Sequence, residues 1–328
     1  MKYRTLGKSG IHVSEIGVGA WQLGGPLLLD GKMDGHPDVG STFAVDLIRR
    51  CNSELGINFI DTAEQYGAGE SERRVGQALE GQRDKWIIST KFGAQVGDVV
   101  PDPATKIPSG KRVNDVSATR VPLSLENSLR KLRTDHIDIY LYHSAPDPAQ
   151  AEPVARFLES AKRKGQIRAA GISTANFAFV EFLHSLGCLD VVQFPQNMID
   201  RQEQIAAFLA QHNIGGVVRG AFAGGRLSGK YFHTPPKFAA EDIRNNKFRA
   251  EAIKDFTRYA VLEQFLTPDC PMPRLALRWL LDKPTTHTII LGAKSFEEYR
   301  DAAAATDLPP IPPSKLSQID TALQSIAR

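Results

Sequence analysis

Short apolar runs alternate with amphipathic helical stretches along nearly the whole chain, and this rhythm restricts the fold more than any other feature. The runs cover residues 16–19, 57–60, 86–88, 137–141, 167–172, 191–192, 216–218 and 288–291. They are rich in Ile and Val, as strands buried on both faces should be. Between them Ala44, Leu47, Ile48, Cys51 and Leu55 recur at helical spacing, and Gly56 stands where such a helix would stop. Leu125, Leu129 and Leu132 mark another helix. Val154, Phe157, Leu158 and Ala161 mark a third, ended by Gly165, and Leu275, Trp279 and Leu280 a late one that Pro284 terminates.

Parallel strands require crossovers of this length. Eight strand–helix units in 328 residues therefore point to a closed (β/α)8 barrel. An open doubly wound sheet is the alternative that periodicity leaves open. No low-complexity linker divides the chain, so residues 1–328 are read as a single domain. Residues 93–119 and about 232–271 exceed ordinary loop lengths, which predicts extra helices or long loops at the carboxyl face of the barrel. A short hairpin from Tyr3-Arg4-Thr5 and His12-Val13 is expected to cover the opposite mouth.

Composition narrows the partners. Forty Lys and Arg against 37 Asp and Glu leave a net charge of +3, spread without blocks, so neither nucleic acid nor membrane is expected as a partner. The partner expected is a small molecule; oligomeric state is not legible. The first residues carry no apolar stretch of signal-peptide type, and none approaches the ~18 residues that span a bilayer. Cys51, Cys188 and Cys270 lie far apart, without CxxC or Cys/His pairing. That pattern fits a reducing cytoplasm and no metal site.

In a barrel of this kind the chemistry sits at the carboxyl ends of the strands. The second run delivers Asp61, with Tyr66 five residues on. The third ends in Ser89-Thr90-Lys91 and the fourth in Tyr142-His143. Later ends carry Ser173, Gln193, Arg219 and Gly292, with Lys294 just beyond. Singly, a polar residue at a strand end is simply where the chain meets water. Together, a carboxylate, a phenol, an ammonium and an imidazole would converge on one mouth. An ammonium beside a phenol favours the phenolate, a carboxylate holds the ammonium, and a neutral imidazole can donate to a carbonyl oxygen. None of the four is a strong nucleophile, so the set suits proton transfer to an oxygen while something else supplies hydride.

The carriers of a wider likeness are Gly17-Val18-Gly19-Ala20-Trp21, Asp61-Thr62-Ala63-Glu64-Gln65-Tyr66-Gly67, Ser89-Thr90-Lys91-Phe92-Gly93 and Ile137-Asp138-Ile139-Tyr140-Leu141-Tyr142-His143. Gly171-Ile172-Ser173 and Gly225-Arg226-Leu227-Ser228-Gly229-Lys230-Tyr231 continue it. In order and spacing the chain resembles the aldo-keto reductase superfamily from about residue 3 to residue 325. The resemblance implies a (β/α)8 barrel that moves hydride between a nicotinamide nucleotide and a carbonyl or alcohol. It implies Tyr66 as general acid, Lys91 as its charged neighbour, Asp61 as the partner of Lys91, and His143 as the imidazole that orients the carbonyl.

It further implies cofactor contacts from Ala20, Trp21 and Asp61, and from Ser173 and Gln193 to the carboxamide. Gly220, Ala221, Phe222, Gly224 and Lys230 would lie along the diphosphate, and Gly292, Lys294 and Glu298 at the adenosine end. The chain departs from the family in three places. Arg219 replaces an aromatic that usually stacks on the nicotinamide, a role a guanidinium plane can also fill. Glu298 stands where Gln or Arg is commoner, and Ala302 where Asn is usual. Lys294 suits a 2′-phosphate, so NADP(H) is favoured over NAD(H), whereas Glu298 would suit an unphosphorylated ribose. The Gly-x-x-x-x-Gly-Lys spacing at 224–230 is not a nucleoside-triphosphate loop, because Tyr231 stands where Ser or Thr should reach magnesium.

Expected activity is reduction of an aldehyde or ketone, or its reverse. The alternatives are a sugar or polyol dehydrogenase working oxidatively, and a nucleotide-sensing binding subunit with slow turnover. Trp21 and Phe92 are candidates for an apolar substrate wall.

Overall fold

A computed structural model describes residues 1–239, 242–244 and 255–326. Strands are numbered in chain order. β1 (Tyr3–Thr5) and β2 (His12–Ser14) form an antiparallel hairpin. The closed barrel contains β3 (Ile16–Gly19), β6 (Phe59–Asp61), β7 (Ile87–Phe92), β10 (Ile137–Tyr142), β11 (Ile167–Ser173), β12 (Val191–Pro195), β13 (Gly215–Arg219) and β14 (Thr288–Leu291). Every neighbouring pair is parallel, and the ring closes where Ile289 of β14 pairs with Ile16 of β3. The barrel, rather than the open sheet, is therefore the architecture.

Period-two alternation sorts each strand into an outer and an inner row. Outward side chains such as Val18, Ile60, Ile88, Tyr140, Ile172, Val192 and Val218 pack under the surrounding helices. The inner row is apolar low in the barrel and polar at the top. Phe59, Ile139, Leu141, Ala169, Val191 and Val217 fill the lower interior together with Leu6, Ile11 and Val13 from the hairpin. Gly17 makes room for this layer, since a Cβ there would sit 2.6 Å from the Phe59 ring. The hairpin is held at the amino ends of the strands: Lys8 N–H donates to Asn213 O, and Arg4 donates to Leu281 O and Thr286 O. One mouth is thereby sealed, and the polar upper row faces the other.

The helices form for the reasons their spacing predicts. α1 (Ser41–Leu55) buries Ala44, Leu47, Ile48 and Cys51 and ends at Gly56, whose φ of 70° is left-handed. Cys188 is also buried and Cys270 half-buried, all three as free thiols. Among the described residues no helix is long and apolar enough to cross a membrane.

Residues 93–119 do not form the extra helix or irregular loop expected of them. Most of this segment is an antiparallel hairpin, β8 (Ala94–Pro101) with β9 (Pro108–Asn114). It continues into a four-stranded sheet through β4 (Leu28–Leu29) and β5 (Lys32–Met33). Val96, Val100 and Val113 favour this extended state, and period alone could not reveal it because neither face of the sheet is deeply buried. Part of the 232–271 segment lies outside the described residues. Its described remainder includes a 3-10 helix, Asp255–Phe265, that buries Phe256, Tyr259, Leu262 and Phe265.

Candidate active site

The top of the inner row brings the predicted quartet together. Asp61 is the last residue of β6, and Ser89 and Lys91 share one face of β7. Lys91 is fully buried and spends its three protons: Nζ lies 2.7 Å from Asp61 Oδ2, 2.7 Å from Thr62 O and 3.2 Å from Tyr66 Oη. Tyr66 opens a short turn in which Gly67 and Ala68 are left-handed, φ 57° and 54°. A side chain at Gly67 would collide with Gly24 O, so this turn has no room to shift the phenol.

The other Asp61 oxygen accepts from Ser89 Oγ at 3.0 Å and Gln193 Nε2 at 2.7 Å. Gln193 Oε1 in turn accepts from Ser173 Oγ at 2.8 Å. One chain of hydrogen bonds thus runs from β11 through β12, β6 and β7 to the phenol. His143 follows β10 and is anchored by its N–H to Phe92 O. Its ring stands edge-on to Tyr66, with centroids 5.6 Å apart at 84°. Trp21 stacks on Tyr66 at 5.7 Å.

Burial governs the protonation states. It raises the Tyr66 phenol above its ordinary value, against the pull of Lys91 and Arg219 and with a push from Asp61. The ammonium alone predicted a lowered phenol; desolvation of the partly buried Tyr66 hydroxyl outweighs it. Burial works to lower Lys91, but Asp61 and Tyr66 more than offset it, so the ammonium is retained. Burial, and then the charges of Lys91, Arg219 and Arg112, hold His143 well below the usual imidazole range. The resting site is a neutral phenol, a neutral imidazole and a cation. His143 Nδ1 is buried with no hydrogen-bond partner among the described residues.

The residues matched to nucleotide contacts divide into three groups. Ser173, Gln193 and Arg219 lie on the neighbouring strands β11, β12 and β13, the first and last at the strand ends. Ala20 donates its N–H to Asp61 O, which ties the Trp21 segment to the quartet. Gly220, Ala223, Gly224 and Gly225 have left-handed φ of 72°, 50°, 72° and 110°. The Ala223 and Gly225 amides close turns on Gly220 O and Phe222 O, and a winding loop of this kind can present its other amides to an anion such as a diphosphate. Within it Ala221 is buried and Phe222 packs on the core. Glu298 accepts from Lys230 Nζ at 2.9 Å and from the Lys294 N–H at 2.8 Å, while Lys294 Nζ lies 4.0 Å from Asp242. β3 ends in Gly19 and β14 is followed by Gly292, over which the Gln22 side chain lies: a Cβ at Gly292 would collide with its amide. This donor set fits an extended, doubly phosphorylated nucleotide.

Phe92 is not a wall residue. It alternates outward from Lys91 and packs against Tyr140 and Tyr142 at 4.6 and 4.4 Å. Two groups escaped the sequence reading because they lie in loops of no shared pattern. Arg112 of β9 donates to Gln65 Oε1 and Asp34 Oδ2 at 3.1 and 3.3 Å, fastening the hairpin beside the mouth. His36 sits edge-on to Trp21 at 5.2 Å, buried, with neither ring nitrogen paired among the described residues. Ser89 was readable, being two residues from Lys91 on one strand.

Burial, helped by Lys294 and Arg244 and opposed by Asp242, pushes His36 down to about 4. A native value below the unfolded one means the unfolded chain takes the proton first, so stability is full above pH 6.5 and is lost as pH falls toward 4. Between pH 7 and pH 5 this imidazole is expected to cost about 2 kcal/mol. Urea unfolding at both pH values checks it. His36→Phe should shrink the difference by that amount, and an equal difference in variant and parent would contradict it.

The sequence model of the aldo/keto reductase family matches residues 15–324. The chain belongs to this family. Among its aldo-keto reductase relatives, an NADH-specific methylglyoxal reductase of Escherichia coli is 28% identical, with 94% of each protein covered. A probable voltage-gated potassium channel subunit beta of Arabidopsis thaliana is 27% identical over 99% of this chain and 97% of its own. A solved glycerol dehydrogenase from Gluconobacter oxydans superposes with a TM-score of 0.78 at 25% identity, covering 99% of this chain and 95% of that one. Carbonyl reduction and alcohol oxidation both occur on this aldo-keto reductase scaffold, which makes this chain an oxidoreductase by kinship and leaves its substrate to the site.

Proposed function

We propose that this aldo-keto reductase converts an aldehyde or ketone to an alcohol with a dihydronicotinamide nucleotide, Tyr66 giving the proton. One observation carries the reading: a fully buried ammonium bridges Asp61 and Tyr66 while a neutral imidazole stands edge-on to the same phenol. Ser173, Gln193, the 220–225 loop, Lys230 and Lys294 would hold the nucleotide, which when bound supplies hydride.

A carbonyl oxygen set between Tyr66 Oη and the His143 ring accepts hydrogen bonds from both. As hydride reaches the carbonyl carbon, that oxygen becomes far more basic than the phenol. The Oη proton then crosses to it. The phenolate left behind lies 3.2 Å from Lys91 Nζ, whose charge compensates it. Asp61 keeps the ammonium aimed, and Ser89 and Gln193 keep Asp61 aimed. His143 contributes as neutral imidazole, consistent with its depressed basicity. The neutral imidazole of His143, edge-on to the Tyr66 phenol, supports chemistry over a purely nucleotide-sensing subunit, because nucleotide binding makes no use of that pairing. Free, unpaired thiols support a reducing compartment such as the cytoplasm.

NADP(H) is the proposed form. Both Glu298 oxygens are engaged, by Lys230 and by the Lys294 amide, so the carboxylate is poorly placed to accept from a free ribose hydroxyl. The two ammonium groups beside it suit a 2′-phosphate. Lys294→Ala is expected to weaken NADP binding by about tenfold or more, in line with ~1.5–3 kcal/mol for a charge-assisted contact, with little effect on NAD. Equal losses for both nucleotides would assign the 2′ position elsewhere. The deciding assay is steady-state turnover with NADPH and NADH against a panel of aldehydes, ketones and sugars. Reduction of at least one carbonyl is expected; binding of nucleotide without turnover of any of them would overturn the reading.

A further inference from the structure

Arg219 is the last residue of β13 and belongs to the inner row. Val217, two residues earlier, packs in the barrel interior against the layer of Phe59 and Val191, and side chains two apart share a face. β13 lies four places from β7 around the ring in either direction. Arg219 therefore faces Lys91 and Tyr66 across the mouth.

Its charge has no direct counter-ion: among the described residues no carboxylate lies within 4.0 Å of the guanidinium and no side chain accepts a hydrogen bond from it. Asp61, the acid it faces, is already saturated by Lys91, Ser89 and Gln193. Burial lowers Arg219, with Tyr66, Asp61 and Asp200 pulling the other way. The same charge helps to depress His143 and pulls against the rise of Tyr66. A half-buried cation without a directly paired counter-ion is a cost to the fold, only partly offset by the more distant Asp61 and Asp200.

A hydride donor must approach a carbon whose oxygen contacts Tyr66 and His143. Those two residues stand on the β6, β7 and β10 side of the mouth, so the donor ring belongs on the β12 to β14 side, against Arg219. The reduced ring is neutral and the oxidised ring carries one positive charge. We propose, resting on the nucleotide reading above, that Arg219 sets the redox preference of the site: it accepts the neutral reduced ring and repels the oxidised one, so the reduced nucleotide binds tighter and the spent one leaves readily.

The test is calorimetric titration of the wild type, Arg219→Lys, Arg219→Met and Arg219→Gln with NADPH and NADP+, and with NADH and NAD+ in parallel. The wild type should hold the reduced form more tightly. Met and Gln should each lower the ratio of oxidised to reduced Kd by about tenfold, while Lys preserves it, since one screened contact between like charges is worth about a decade. A ratio unchanged in both Met and Gln would overturn the proposal, whatever those variants do to substrate KM. Failure of the wild type to bind either form of either nucleotide would instead overturn the reading on which it rests.

Discussion

Tyr66→Phe should lower kcat by about 10³-fold or more while leaving nucleotide affinity within about threefold. General acid catalysis contributes roughly 10²–10⁴, and no second acid stands in reserve. His143 is neutral with a depressed basicity, and Lys91 has all three protons committed. The phenylalanine ring would still stack on Trp21 and meet His143 edge-on, so the shape of the site survives. Only the hydroxyl that receives the Lys91 hydrogen bond is lost. Pre-steady-state measurement of nucleotide oxidation would place the defect in the chemical step. A variant turning over within about tenfold of the parent on every carbonyl would remove Tyr66 from the mechanism.

Lys91→Met should be comparably severe for activity and, unlike Tyr66→Phe, severe for the fold. Asp61 is almost fully buried, and without the ammonium its charge is left to Ser89 and Gln193 alone. Breaking a buried pair by removing one partner costs roughly 3–5 kcal/mol. Urea unfolding should show that loss in Lys91→Met, and most of it should return in the double variant Asp61→Asn, Lys91→Met, where neither member of the pair is charged. Activity should not return with it, because the phenolate still lacks its compensating cation. Recovery of turnover in the double variant would mean that Lys91 serves only to neutralise Asp61.

The barrel and the quartet were legible because both rest on short-range regularities. Strands buried on both faces announce themselves as apolar runs, and the side chains that end them fall into one ring once the runs are parallel. Asp61, Lys91, Gln193 and Arg219 are all of this kind. The 93–119 hairpin was not legible: its strands are half-exposed, so no apolar period marks them, and their pairing with β4 joins segments some 80 residues apart. His36 and Arg112 were hidden for the same reason, since their positions depend on how two loops close over the mouth. Phe92 was misjudged from adjacency to a motif, whereas alternation from Lys91 already sends it outward. The sign of the Tyr66 shift needed the depth of burial, which no spacing reports.

The plug at the base of the barrel also sets a timetable for synthesis. Leu6, Ile11 and Val13 are made first, yet the groups that seat their hairpin, Asn213 O, Leu281 O and Thr286 O, emerge more than 200 residues later. The strand that β3 needs on its open side, β14, is also among the last to appear. A nascent chain therefore carries an unpaired edge and an unhoused apolar hairpin until translation is nearly finished. Contacts of such long sequence separation fold slowly, and exposed strand edges invite pairing with other chains. The same closure that shelters the buried Lys91 thus leaves the unfinished polypeptide with its stickiest surfaces uncovered until its last strands emerge.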